Sequence, residues 1–157
     1  MPKLPPKSAL SAALALVIAA CTSAPPPTAQ PPAVFVIATQ LPNGRVEITV
    51  ATSYALGQAA RIPVGISATS GTVTGPVTAR VMASGIGVPA EVLVRDLAVT
   101  PLTVGANGRK STTITWDTRD AKGVIVPVDA YSLVLEVRSE DGGTLRTLHA
   151  TATLELR

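Results

Sequence analysis

Val46, Ile48 and Val50 alternate with Arg45, Glu47 and Thr49. Successive side chains of a β-strand point to opposite faces, so this spacing describes an extended segment with one face buried and the other wet. Ile62, Val64, Ile66 and Ala68 repeat the pattern, as do Val77, Ala79 and Val81. From Ala33 onward no stretch sustains a 3.6-residue period, and the alternating runs are separated by Gly, Pro, Asn and Asp. Regular turn spacing of this kind predicts an all-β chain, an antiparallel β-sandwich of about seven to nine strands.

The turns carry their own chemistry. Ala33 to Thr39 reads as a first strand, closed by Leu41-Pro42-Asn43-Gly44, where Asn and Gly both accept positive φ and so predict a hairpin. Arg45 to Tyr54 is the second strand, with Tyr54 on the Val46 face. Pro63 removes a ladder donor from the third, which is therefore an edge strand or begins at the proline. After Gly85-Ile86-Gly87-Val88-Pro89, two more strands are expected over Ala90 to Asp96 and Leu97 to Val104, with Pro101 marking a bend or an edge. Gly105-Ala106-Asn107-Gly108 is a further turn.

The stretch Lys110 to Arg138 holds more information. Thr112, Ile114 and Trp116 alternate into Trp116-Asp117, a polar loop runs to Gly123, and Val124-Ile125-Val126-Pro127 leads to Tyr131, Leu133, Leu135 and Val137. This order of Trp, Asp, Gly, Val-Pro and Tyr resembles the C-terminal hairpin of bacterial Ig-like modules, notably that of the flagellar hook-capping protein. It is also similar to the ending of the bacterial intracellular proteinase inhibitor family. Both resemblances imply an Ig-like or fibronectin-III-like sandwich with Trp116 and Tyr131 as structural anchors, Trp116 between the sheets and Tyr131 bonded to backbone as a tyrosine corner. Trp116 shares the phase of Ile114, which favours the core over an exposed binding anchor. Those families place Gly two residues before the tyrosine, where this chain has Asp129; Asp tolerates the left-handed region, which would preserve the turn.

A second feature stands at the other end. Lys3 and Lys7 precede an apolar run, Ser8 to Ala20, that is too short for the roughly 20 residues of a spanning helix and has the tripartite form of a secretion signal. It ends on Cys21, the only cysteine. Ile18-Ala19-Ala20-Cys21 resembles the bacterial lipobox. The resemblance implies removal of residues 1–20 and a diacylglycerol thioether with palmitate-type chains on Cys21, a stable anchor because more than one acyl chain is needed to hold a protein on a bilayer. Cleavage elsewhere and an uncleaved anchor are the alternatives; a disulfide has no second cysteine to use. Thr22, rather than Asp, after the cysteine implies the outer membrane in a two-membrane cell. Five of the eleven residues from Thr22 to Pro32 are proline, so residues 21–33 are expected as a semi-rigid spacer, reaching about 30 Å at ~3.1 Å per residue. Residues 34–157 are then the sandwich domain.

Charge excludes one class of partner. Lys3 and Lys7 leave with the signal, so eleven of the 13 Lys plus Arg remain against 10 Asp plus Glu, close to neutrality and without basic-aromatic interleaving. Nucleic acid is not an expected partner. Asp117, Asp120 and Gly123 look like fragments of a cation loop, but Arg119 and Lys122 stand where ligands are wanted, and Asp side chains capping backbone N–H groups fit better. His149, the one histidine, falls on the Thr/Glu face of Leu148 to Leu156, an exposed position. No Gly-x-Ser-x-Gly elbow is present and four aromatics give no stacking platform. No catalytic residue, metal, cofactor or small-molecule substrate is expected. The expectation is a non-catalytic envelope lipoprotein, held to a membrane by its lipid and presenting its domain to another envelope protein or serving envelope structure. A proteinase-inhibitor-like lipoprotein is the alternative, and an enzyme ranks last.

Overall fold

The alternating segments fold as strands because each buries one face against the other sheet. The computed structural model describes residues 32–83 and 91–157. The expected signal segment, Cys21, nearly all of the spacer and the Gly85–Pro89 turn lie outside the described residues.

Among the described residues, nine strands make two sheets. They are β1 (Val34–Leu41), β2 (Gly44–Ala51), β3 (Ala60–Ala68), β4 (Thr72–Ala83), β5 (Val92–Leu97), β6 (Leu102–Gly105), β7 (Arg109–Trp116), β8 (Ala130–Asp141) and β9 (Thr144–Glu155). One sheet runs β1-β2-β3-β7 and the other β5-β4-β8-β9, with β6 on the same side of β4 as β5 but further along. Every strand pair in the ladders is antiparallel. The protein is an antiparallel β-sandwich. Every second residue of β2, β3, β8 and the last half of β9 points into the space between the sheets, and Ile48, Ile62, Ile66, Leu133, Leu135 and Leu154 are fully buried there. Burying a side chain of this size contributes about 1.5–3 kcal/mol, which is what holds two sheets without helices together.

Several expectations are corrected by the pairing. β3 is central, not an edge: β2 lies on one side and β7 on the other. Its proline is accommodated because the β2 ladder stops at the Ile48↔Val64 pair, one residue short of Pro63, while β7 continues to pair opposite it. The absent donor therefore falls where β2 has peeled away. β2 ends at Ala51, so Tyr54 is outside it, in a parallel bridge to Leu156. The expected strand from Leu97 to Val104 is divided, with Leu97 closing β5 and Pro101 in the gap before β6, so Pro101 marks a bend.

The first hairpin turns one residue earlier than its Asn-Gly signal implies. Leu41 pairs with Gly44, which leaves Pro42-Asn43 as the two-residue loop, and neither Asn43 nor Gly44 has positive φ. Gly44 is required for room: a Cβ there would lie 2.1 Å from the Ser67 carbonyl oxygen. Asn43 is fully buried. Its Nδ2 donates to the carbonyls of Ser70, Thr72 and Glu140 at 2.9, 3.2 and 2.9 Å, and its Oδ1 accepts from Ser139 Oγ. One side chain thus ties the first turn to the β3–β4 turn and to β8 in the opposite sheet. Asp129 also has negative φ, so the left-handed turn residue expected before Tyr131 is not used.

Candidate functional site

The segment between β7 and β8, Asp117 to Asp129, is built upward from two core side chains. Trp116 closes β7 at 1% exposure and Tyr131 follows the start of β8 at 4%, their ring centroids 5.3 Å apart and edge-to-face at 67°. Each ring sends its one polar group up into the loop. Trp116 Nε1 donates to the Arg119 carbonyl at 2.9 Å, and Tyr131 Oη donates to the Pro127 carbonyl, four residues upstream, also at 2.9 Å. The second bond is the tyrosine-corner geometry of Ig-like sandwiches. Burial of the Tyr131 ring, then the nearby Asp129 carboxylate, raise the Tyr131 pKa, which keeps the donor protonated through ordinary pH.

Between these two fixed carbonyls the loop folds into a small hairpin. Arg119 and Ile125 form an antiparallel bridge, the Asp120 N–H donates to the Val124 carbonyl at 2.9 Å, and Arg119 Nη1 donates to the Gly123 carbonyl at 2.8 Å. Asp120 Oδ1 accepts from the backbone N–H groups of Lys122 and Val124 at 2.8 and 2.9 Å, and Asp117 Oδ1 from that of Arg119 at 3.2 Å. The aspartates cap backbone. Thr118 has φ of 56°, unusual for a β-branched residue, and is fully buried. Its Oγ1 donates to the Asp117 carbonyl and accepts from the Gly57 N–H, so the position is held by bonds on both sides.

The hairpin leans on β5. The Ala121 N–H donates to the Val94 carbonyl at 3.0 Å, and Arg95 Nη1 reaches both Asp117 carboxylate oxygens, at 2.9 and 3.1 Å, and the Asp120 carbonyl at 3.2 Å. An exposed ion pair contributes little alone, but a guanidinium shared by a carboxylate and a carbonyl sets a geometry. The result is a groove of about 630 Å³ at the end of the sandwich, floored by Leu93, Val94, Val124, Ile125, Pro127 and Tyr131 and rimmed by Asp120, Lys122 and Asp129. Leu93 and Ile125 are 48% and 44% exposed, so much of the floor is apolar surface left to solvent.

This lining suits the docking of apolar side chains better than proton or electron transfer. Asp117 and Asp120 are committed to backbone and to Arg95, and no group of three or more His, Cys, Asp or Glu that could hold a metal occurs among the described residues. His149 is exposed on β9, opposite Glu136 in the ladder, and does not line the groove. Cys21 lies outside the described residues. The groove itself went unforeseen in the sequence, although Val124-Ile125-Val126-Pro127-Val128 is an apolar run where a connecting loop is ordinarily polar, and that was its available signal. No protein-family model matches the chain, and no curated protein matches it.

Proposed function

We propose that the chain is a non-catalytic, lipid-anchored envelope protein whose sandwich offers the groove between β5 and the 117–129 loop to an apolar segment of another envelope protein. The observation that carries the binding half of this reading is the framing of the apolar floor: Trp116, Tyr131 and Arg95 fix the loop from below and from the side, so the surface is pre-formed. Preorganisation lowers the ordering cost of binding, which is where small interfaces lose affinity. The anchoring half rests on the Lys3, Lys7 and Ile18-to-Cys21 pattern. The proteinase-inhibitor alternative draws no support from the loop. Lys122 sits in a turn closed by the Gly123 N–H on the Asp120 carbonyl at 3.0 Å, whereas a protease cleft takes an extended strand.

The two halves separate experimentally. Cys21→Ser in cells should abolish incorporation of labelled palmitate and release the protein from the membrane fraction; unaltered labelling and partition refute the anchor. For the groove, a photo-cross-linking residue at position 93 of the full chain should trap one envelope protein, and Ile125→Asp should remove that adduct while leaving the circular dichroism spectrum unchanged. An adduct indifferent to Ile125→Asp places the partner elsewhere.

A further inference from the structure

Edge strands present unpaired N–H and C=O groups, and stable proteins guard them with charge, proline, bulges or covering segments. Three edges here are guarded. The Ala121 N–H caps the Val94 carbonyl of β5. The Tyr54 N–H bonds the Glu155 carbonyl and the Leu56 N–H the Arg157 carbonyl, which covers the C-terminal end of β9, and Arg146 stands near its start. β7 opens with Arg109 and Lys110.

β1 has none of these defences. It pairs with β2 in unbroken register over its eight residues, contains no charged residue and no proline, and among the described residues no backbone hydrogen bond reaches its outer edge. Val34, Phe35 and Val36 are 61%, 58% and 59% exposed, so the strand is apolar on both faces. Residues directly opposite in a ladder share a face. Phe35 and Ile37 stand opposite buried Val50 and Ile48 and point inward, while Val34 and Val36 point outward. Beside the inward pair, between β1 and β9, is a hollow of about 320 Å³ lined by Phe35, Ile37, Val50 and Thr153.

We propose that β1 pairs antiparallel with β1 of a second copy, around a twofold axis through Val36. In that register Val36 faces its own counterpart on the outer surface. Phe35 of each copy lies opposite Ile37 of the other and closes over the hollow, an aromatic–β-branched pair of the kind that stabilises sheets. Moving the axis one residue, to Ile37, would set Phe35 against Thr39 and bury less apolar surface. A second copy fits because the strand is neutral and matched to itself: no like charges meet, whichever side chains face one another. An isologous contact of this kind consumes both edges. Once both copies of β1 are paired, no further copy can add through this strand.

The test uses the full chain over a concentration series in sedimentation equilibrium, with oxidative cross-linking beside it. The native chain should be dimeric, and Val36→Lys should halve the mass with an unchanged circular dichroism spectrum, since the side chain is exposed. Val36→Cys should form a disulfide dimer on oxidation, the native chain serving as the control for Cys21. Gln40→Cys should not, because its counterpart would lie about 26 Å away along the strands at ~3.3 Å per residue. A native chain that is monomeric throughout, a Val36→Lys chain that stays dimeric, or Gln40→Cys cross-linking as readily as Val36→Cys overturns the proposal.

Discussion

Replacing Trp116 by Ala removes the side chain on which both the core and the loop depend. At 1% exposure nothing but protein surrounds the ring, and truncating a buried tryptophan costs about 3–5 kcal/mol. The edge-to-face contact with Tyr131 is worth a further ~0.5–1.5 kcal/mol, and the bond to the Arg119 carbonyl about as much again. These contributions overlap, so a total of about 4–6 kcal/mol is expected. That is a large share of the ~5–15 kcal/mol that separates folded from unfolded domains. For a domain of this size it corresponds to a fall in Tm on the order of 15–25 °C. The assay is thermal melting of the domain beginning at Ala33, followed by circular dichroism at the strand minimum. Trp116 is the only tryptophan, so the native domain also reports by fluorescence, blue-shifted when folded and moving red on unfolding. A fall of less than about 5 °C, or a red and readily quenched native emission, would refute the reasoning and return Trp116 to the surface.

Other expectations follow from the same geometry. Asn43→Ala strands the carbonyls of Ser70, Thr72 and Glu140 together with the Ser139 hydroxyl, and should cost about 3 kcal/mol in urea unfolding with an unchanged m value. Gly71→Ala should be far more damaging than Gly142→Ala: both positions have φ of 55°, but a Cβ at Gly71 would lie 2.1 Å from the Glu140 carbonyl oxygen while one at Gly142 meets nothing within 4 Å, and parallel melting curves compare them. Burial raises the pKa of Tyr54 and of Tyr131 above 10.0, so between the unfolded and folded values the native state holds more protons. Stability from these groups is therefore intact below pH 10 and is lost as pH rises through the folded values; unfolding at stepped alkaline pH should show that decline, and Tyr131→Phe with Tyr54→Phe should flatten it.

The sandwich was legible because its strands obey a strict period of two, and Ile48, Ile62, Ile114 and Leu133 each sit on the face that this period assigns them. The same phase assigns Trp116 to the core, where it is buried. What the period does not carry is the neighbour. Whether β3 is central or peripheral depends on β7, more than forty residues downstream, and Pro63 reads as the mark of an edge or of a strand start because the local withdrawal of β2 leaves no trace in its own sequence. Asn43 signals a turn by its propensity, whereas the fold also uses its side-chain amide. The groove depends on Arg95 and Asp117 meeting across 22 positions of chain, and local patterning is silent about such distances.

The pin at Asn43 has a consequence in time as well as in space. Its partners Ser139 and Glu140 lie 96 and 97 residues further along, and Tyr54 is bonded to Glu155 and Arg157 beyond them. A chain emerging from its N-terminal end therefore cannot satisfy its first turn, or cover its first sheet, until β8 and β9 exist. Folding dominated by such distant pairings is slow, on the order of milliseconds to seconds, and closes at the end of synthesis. Until then the N-terminal half is a substrate for whatever keeps chains open, and the last dozen residues act as the clasp that ends that interval.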